Sequence, residues 1–208
     1  MKGVIFDLDG VLLSTDEFHY QAWKTLADKL NIPFDREKNN RLRGISRMAS
    51  LEIVLEGYEF SEEQKAVFAE EKNNTYRNFL STLTPEAVSA DVRSTLKKLK
   101  ERGLKLAIGS SSKNTKFILE KVNLLNEFDA IADGNDITRS KPDPEVFLKA
   151  AEKLELSPCD CMVVEDAEAG IDAATAGGFV TAGIAEASKY PKTCYKINNL
   201  SDILKLKI

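Results

Sequence analysis

The chain has 208 residues, enough for one large domain or for a core domain that carries a smaller insert. Hydrophobic residues make up 43% and charged residues 30%, a globular composition that excludes a disordered or fibrous chain. The formal net charge is only -4 and the basic residues are scattered, so we expect a small-molecule partner and no nucleic acid.

No apolar run is long enough to cross a bilayer, and the N-terminus leads directly into a strand pattern, without room for a signal peptide. We therefore expect no membrane association, a cytoplasmic location and, by default, a monomer. The three cysteines have no zinc-site or redox-motif spacing, which favours reduced thiols.

The first strand is predicted at residues 4–6, and two carboxylates follow it at Asp7 and Asp9, before a turn at Gly10. Alternation along an extended segment places both carboxylates on one face. Two like charges at such a short distance repel unless a cation lies beside them or one of them holds a proton. The pair therefore indicates either magnesium binding or proton transfer. The alternative is an ordinary Asp-rich turn.

Helical patterns follow without an intervening strand. The first begins near Asp16 and carries Ala22, Trp23, Leu26 and Leu30 on one stripe. Others lie around residues 36–42 and 49–55, and the last runs from a capping box at Ser61 to residue 79. Trp23 either fills the core of this helical block or walls a sugar pocket.

From residue 90 helices and strands alternate. Strands are predicted at residues 104–108, 130–132, 162–164 and 180–182, with a weak one near 196–197, and helices at 115–122, 145–154, 167–176 and 201–206. This order predicts an α/β fold with a doubly wound, Rossmann-like parallel sheet. The core domain would comprise residues 1–14 and 88–208, and a helical cap, residues 15–87, would be inserted after the first strand, as a lid over the carboxyl ends of the strands.

Three further clusters follow predicted strands. Ser110, Ser111, Ser112, Lys113 and Asn114 offer hydroxyls, an amide, a cation and a helix start, which suit a phosphate group or simply cap a helix. Lys141 precedes Pro142 on a stiff turn and would balance an acidic site, unless it is a solvated turn lysine. Glu165 and Asp166 form a second acidic pair that, with Asp7, suits magnesium.

Four short motifs resemble, in order and context, the four signature motifs of the haloacid dehalogenase superfamily. They are Phe6-Asp7-Leu8-Asp9-Gly10, Ser110, Lys141-Pro142 and Glu165-Asp166. Nearly the whole chain resembles the beta-phosphoglucomutase family within it, through Thr15, His19, Trp23, residues 43–47, Ser50, Lys72 and residues 110–114. The resemblance implies an intramolecular phosphotransferase, an isomerase that interconverts β-D-glucose 1-phosphate and β-D-glucose 6-phosphate through an aspartyl phosphate and a glucose 1,6-bisphosphate.

The same resemblance implies the roles of individual residues. Asp7 is the nucleophile, Asp9 the general acid and base, and Ser110 and Lys141 screen the phosphoryl charge. Mg2+ would be held by Asp7, the backbone oxygen of Asp9, Glu165 and Asp166. The phosphorylated sugar would be bound by Asp9 and by a wider set: Thr15, His19, Arg43, Gly44, Ile45, Ser46, Arg47, Ser50, Lys72, Ser111, Ser112, Lys113 and Asn114.

Two other functions stay open at this level. A magnesium-dependent sugar-phosphate phosphatase would use the same core residues with water as the acceptor. A binding protein without catalysis is disfavoured because all the acidic and basic core residues are present. Arg43, where the family often has lysine, leaves the sugar preference open, and Ala167 replaces a frequent serine after Asp166.

Overall fold

The computed structural model describes residues 1–42 and 45–207 of the chain. These form two compact units: a core unit, Met1–Ser14 with Thr84–Ile208, and a cap unit, Thr15–Leu83. The sequence pattern drew the second boundary at residue 88, whereas the contacts draw it at Thr84. The short 3-10 helix Pro85–Ala87 belongs with the core unit because Arg93 Nη2 donates to Pro85 O at 2.8 Å.

The core unit contains a six-stranded sheet in the order β3-β2-β1-β4-β5-β6, in which every pair is parallel. This confirms the predicted α/β class. β1 lies in the middle of the sheet and is buried along its whole length, which explains its unbroken apolar sequence. The strands are β1 Gly3–Phe6, β2 Lys105–Gly109, β3 Ala130–Ala132, β4 Cys161–Glu165, β5 Val180–Gly183 and β6 Tyr195–Lys196.

The cap unit is helical, with α1 Asp16–Lys29, α2 Arg36–Asn40, α3 Arg47–Val54 and α4 Glu62–Leu80. The capping box at Ser61 is present with both of its hydrogen bonds. Asp16 does not cap α1: Thr15 is the N-cap residue, and Asp16 lies in the first turn, where its charge still favours the positive helix end. Trp23 is 2% exposed within the apolar core of this unit, so it fills that core.

The remaining helices belong to the core unit, and α5, α7 and α8 pack on its strands: α5 Ala90–Glu101, α6 Thr115–Lys121, α7 Glu145–Leu154 and α8 Glu168–Ala176. The final helical segment, Leu200–Lys205, is a 3-10 helix and begins one residue earlier than the pattern indicated. Asn199 and Asp202 cap it reciprocally. Among the described residues, no helix has the length and apolar character needed to span a membrane.

Candidate active site

The sheet brings the two acidic pairs of the core unit together. Phe6 pairs with Val164 in the register of β1 and β4, so Asp7 leaves β1 beside Glu165, the last residue of β4. The Asp7 amide extends the ladder by donating to Val164 O at 3.0 Å. One carboxylate oxygen each of Asp7, Glu165 and Asp166 lies within 4.8 Å of the others.

Lys141 connects two of these carboxylates. Its Nζ donates to Asp7 Oδ1 and to Glu165 Oε1, both at 2.5 Å, and the lysine is 5% exposed. The Nζ also lies 4.6 Å from the ring centroid of Phe147 in α7. Because it is buried and bound to two carboxylates, Lys141 is a cation of the acidic cluster and not a solvated turn lysine. The peptide bond from Lys141 to Pro142 is cis.

Two carboxylates of this cluster, those of Asp7 and Asp166, have raised pKa values. Burial raises the pKa of Asp7 to about 7, with Lys141 opposing and Glu165 and Asp9 adding to the rise. Burial raises the pKa of Asp166 to about 8, and the charges of Glu165 and Asp7 add to it. Burial alone would lower the pKa of Lys141, but Asp7 and Glu165 outweigh it and raise it. The cluster thus has more negative charge than Lys141 balances.

These residues suit a bound metal ion. The donors are oxygens only, which hard divalent cations prefer, and a cation would offset both the burial of charge and the mutual repulsion that raise the pKa values of Asp7 and Asp166. Asp7, Glu165 and Asp166 are the group of described residues close enough to share one ion.

Two glycines leave room for the acidic side chains. Gly10 has φ +82°, and a Cβ there would lie 2.1 Å from Asp166 Oδ2. A Cβ on Gly170, inside α8, would lie 1.9 Å from Glu165 Oε1. Sequence reasoning missed Gly170, although a glycine inside a predicted helix costs about 1 kcal/mol against alanine and so signals a packing reason.

Backbone amides fix the Glu165 carboxylate from the other side. Glu165 Oε2 accepts from the amides of Asp166 and Ala167 at 2.8 and 2.9 Å. Ala167, which stands where a serine is frequent, thus still supplies a donor to Glu165 through its backbone amide.

The backbone of the same two acidic residues is held from beyond β5. The amides of Ile184 and Ala187 donate to the carbonyls of Glu165 and Asp166 at 2.8 and 3.0 Å. This second support was not visible in the sequence because it depends on chain segments that pair only through the sheet.

The serine-rich loop follows β2. Ser110 is 4% exposed and its Oγ accepts from the Ser112 amide at 3.3 Å, while Ser112 Oγ accepts from the Asn114 amide at 3.2 Å. Both hydroxyls therefore shape the loop that begins α6. Asn114 is buried, Lys113 is exposed, and the Ser111 hydroxyl is buried without a hydrogen-bond partner among the described residues.

A second loop, after β3, supports the serine-rich loop. Gly134 N donates to Ser112 O at 3.2 Å, and Asn135 Nδ2 donates to Lys113 O at 3.2 Å. A Cβ on Gly134 would lie 2.4 Å from Ser111 O, so glycine permits the close approach. Sequence reasoning missed Gly134 and Asn135, because nothing in their local pattern shows which loop they touch.

The cap unit contains its own group of the predicted residues. Lys72, 3% exposed, lies with its Nζ 2.8 Å from His19 Nδ1. Burial lowers the pKa of His19 well below its usual 6.5, and the charges of Lys72 and Arg47 lower it further, so the imidazole is neutral at neutral pH. Thr15 is 2% exposed and shares a hydrogen bond of 2.8 Å with the Tyr76 hydroxyl.

Arg47 lies at the start of α3. Its Nη2 donates to Asn73 Oδ1 at 2.8 Å, and its Nη1 is 3.8 Å from Glu70 Oε2. Ser46 caps α3 by accepting from the Ala49 amide at 3.2 Å, Ser50 is 4% exposed, and Ile45 is half-buried. Arg43 and Gly44, also predicted to bind substrate, lie outside the described residues.

Comparison with known proteins places this site in context. Residues 1–178 match the haloacid dehalogenase-like hydrolase family. The chain is 43% identical over 190 residues to the beta-phosphoglucomutase of Bacillus subtilis, covering 89% of this chain and 84% of that protein. It is 30% identical over 184 residues to a phosphorylated carbohydrates phosphatase of Thermotoga maritima, covering 86% and 82%.

A solved structure agrees with the sequence matches. The crystal structure of a beta-phosphoglucomutase from Clostridium difficile superposes with a TM-score of 0.92 at 37% identity, covering 98% of this chain and 93% of that one.

Gly170→Ala tests the support of Glu165. Alanine is the better helix former, so the helix content and thermal stability should not fall much. Because the new Cβ would meet Glu165 Oε1 at 1.9 Å, the carboxylate must move, and we expect affinity for Mg2+ or Mn2+ to fall by about 10- to 100-fold. Calorimetric titration with each ion measures this, with Thr175→Ala, an exposed position in the same helix, as the control. Unchanged ion affinity in the Gly170 variant would contradict the assignment.

The raised pKa values predict a pH-dependent effect of metal. Between the unfolded values near 4 and the folded values of about 7 for Asp7 and about 8 for Asp166, the metal-free folded protein binds more protons than the unfolded chain. These two groups therefore destabilise the fold as pH rises through that window. A divalent cation binds the ionised carboxylates, so the gain in Tm from Mg2+ over EDTA should grow from pH 5 to pH 8.5. A gain that does not change with pH, at matched ionic strength, would refute this account.

Proposed function

The chain belongs to the haloacid dehalogenase-like hydrolase family and, within it, to the beta-phosphoglucomutase family, and on that premise we propose that it interconverts β-D-glucose 1-phosphate and β-D-glucose 6-phosphate. The reaction would pass through an aspartyl phosphate on Asp7 and a bound glucose 1,6-bisphosphate. The observation that carries the proposal is the buried Asp7, held by Lys141 beside Glu165 at the carboxyl end of β1.

Asp7 has the surroundings that a phosphoryl acceptor needs. One of its oxygens is bound to Lys141 Nζ at 2.5 Å, which leaves the other oxygen for bonding to phosphorus. As that bond forms, the bond from phosphorus to the sugar oxygen breaks, and the Lys141 ammonium offsets charge that develops on the phosphoryl group. Ser110, at the end of the neighbouring strand, is proposed to donate to the same group.

Asp9 is proposed to carry the proton. It is two residues beyond Asp7 and half-buried, and its charge acts on both Asp7 and Asp166. In one half-reaction Asp9 donates a proton to the departing sugar oxygen. In the other, it takes the proton of the second sugar hydroxyl, whose oxygen attacks the phosphorus on Asp7. The bond from phosphorus to the Asp7 oxygen breaks, which regenerates the carboxylate, and protons balance over the cycle.

We propose Mg2+ as the metal, held by Asp7, Glu165, Asp166 and the backbone oxygen of Asp9. A bound magnesium ion lowers the pKa of its carboxylate ligands and neutralises charge on a transferring phosphoryl group. The three clustered carboxylates support this proposal. Glu165 also orients Lys141 through Oε1 while two amides hold its other oxygen.

A mutase must bind two phosphate groups, one at each end of the bisphosphate. For the phosphate that is not reacting we propose Arg47, whose planar guanidinium pairs with phosphate through two donors. Burial lowers the pKa of Arg47 from its ordinary value, and partial removal from water strengthens attraction to an anion. For the sugar itself we propose a wider set of residues: Thr15, His19, Arg43, Gly44, Ile45, Ser46, Ser50, Lys72, Ser111, Ser112, Lys113 and Asn114.

A sugar-phosphate phosphatase is the alternative, supported by the Thermotoga maritima relative at 30% identity. It would use the same Asp7 with water as acceptor. The higher identity to the mutase, 43%, and the arginine, histidine and lysine of the cap unit favour the mutase. A monomeric state and a cytoplasmic location remain predictions.

The product distinguishes the two functions. The protein is incubated with β-glucose 1-phosphate, MgCl2 and a catalytic amount of glucose 1,6-bisphosphate, and glucose 6-phosphate and free phosphate are followed in parallel. We expect glucose 6-phosphate to exceed phosphate by at least about 100-fold, since acceptors that are bound in position react far faster than water. Phosphate release without the isomer would establish the phosphatase instead, and Asp7→Asn controls for contaminating enzymes.

Arg47→Ala tests the second phosphate site. Loss of a charged, partly buried phosphate ligand should lower mutase kcat/KM by about 100-fold, with little change in hydrolysis of an aryl phosphate that has only one phosphate. Arg47→Lys should recover part of the loss, because lysine keeps the charge without the fork. Arg41→Ala is the matched control, since Arg41 is an exposed cap arginine paired with Glu56 at 3.0 Å. Equal losses toward both substrates would count against the assignment.

A further inference from the structure

Tyr76 is a buried side chain of the cap unit that contacts three of the residues proposed above for the substrate. It lies one turn after Lys72 on α4 and is 2% exposed. Its ring stacks on His19, with centroids 4.0 Å apart and planes at 26°. Its hydroxyl forms the 2.8 Å hydrogen bond with Thr15 Oγ1.

The aromatic surroundings of Lys72 make this more than apolar packing. The Lys72 Nζ lies 4.6 Å from the ring centroids of both Trp23 and Tyr76, so a cation with 3% exposure meets two aromatic faces. Such faces compensate a buried ammonium for part of its lost hydration. The ring of Tyr76 is thus in contact with both members of the Lys72–His19 pair.

The geometry also fixes the proton on His19. A lysine ammonium has no acceptor, so the 2.8 Å contact requires His19 Nδ1 to accept and leaves the imidazole proton on Nε2. The ring of Tyr76 stacks on the same imidazole whose Nδ1 faces this ammonium. Thr15, the N-cap of α1, is joined to α4 by the same side chain.

We propose that Tyr76 is a positioning residue: its ring holds the Lys72–His19 pair in the arrangement used for catalysis, and its hydroxyl fixes Thr15 against α4. The catalytic part of this inference rests on the mutase function proposed above, whereas the positioning part does not. It extends that function by one residue that neither the sequence motifs nor the resemblance indicated.

The test uses the single histidine of the chain as its own probe. Imidazole 15N and 1H NMR signals of His19 are compared in the wild type, Tyr76→Phe, Tyr76→Leu and Phe79→Leu. Phe79 is the matched control, because it lies on the same helix and stacks on Phe18 of α1 at 6.0 Å. The Phe79→Leu substitution removes an aromatic pair between the same two helices, α1 and α4.

We expect the wild type and Phe79→Leu to show the Nε2–H tautomer with ring-current-shifted carbon-bound protons. Tyr76→Phe keeps the ring and should retain this signature. Tyr76→Leu should lose the ring-current shift and show a mixture of tautomers. An unchanged tautomer in Tyr76→Leu, or equal changes in Phe79→Leu, would overturn the positioning role.

Kinetics test the catalytic part on the same variants. Tyr76→Leu should lower mutase kcat by at least about tenfold, and Tyr76→Phe by less, while hydrolysis of an aryl phosphate stays within about twofold for both. Equal losses of the two activities, or full mutase activity in Tyr76→Leu with a disordered His19, would overturn it. If none of the proteins has mutase activity, the proposed function fails, yet the NMR result still decides the positioning role.

Fluorinated phenylalanines at position 76 keep the test decisive if Tyr76→Leu does not fold. Fluorine withdraws charge from the ring face without removing the ring, so the cation contact weakens stepwise in a nearly constant shape. We expect the His19 tautomer signal and mutase kcat to fall with each added fluorine. No trend in either measurement would overturn the proposal.

Discussion

The collection of three carboxylates around one buried ammonium is the interaction on which the rest of the core unit depends. Asp7 and Glu165 share Lys141 at 2.5 Å each, and Asp166 lies beside them with a pKa raised to about 8. Like charges this close repel, and burial increases the cost of ionisation. The surrounding structure holds the carboxylates in place. Strand ends position them, backbone amides donate to them, and glycines stand where a Cβ would collide with them.

The cap unit contains a second buried cation, Lys72, and handles it differently. There the ammonium meets a neutral imidazole and two aromatic faces rather than carboxylates. The core arrangement would suit the proposed transfer of a phosphoryl group, since its ammonium is bound to Asp7, the residue proposed to attack phosphorus. The cap arrangement sets the Lys72 ammonium beside a His19 imidazole that is neutral at neutral pH, because burial and the charges of Lys72 and Arg47 lower the pKa of His19.

Short signals in the sequence predicted most of the fold. The apolar run before Asp7, the capping box at Ser61 and the alternation after residue 90 each correspond to an element in the structure. The last segment was less well predicted, because Leu200–Lys205 is a 3-10 helix and short helical patterns do not distinguish the two geometries. The N-cap of α1 is Thr15, one residue before the predicted Asp16, and the Thr15 hydroxyl bonds to Tyr76 instead of capping the helix, a tertiary contact that no local pattern shows.

By itself the sequence determined the α/β class and which residue types stand at the ends of the strands, because hydrophobic periodicity and turn residues are local properties. It placed Asp7, Lys141, Glu165 and Asp166 as candidates for one site. Only the tertiary structure decided the contacts around the candidate residues: Gly170 against Glu165 and Gly134 against Ser111 in the core unit, and Tyr76 against His19 in the cap unit. Those contacts join residues from separate elements, and the distances that matter arise only when helices and strands pack, so no local pattern contains them.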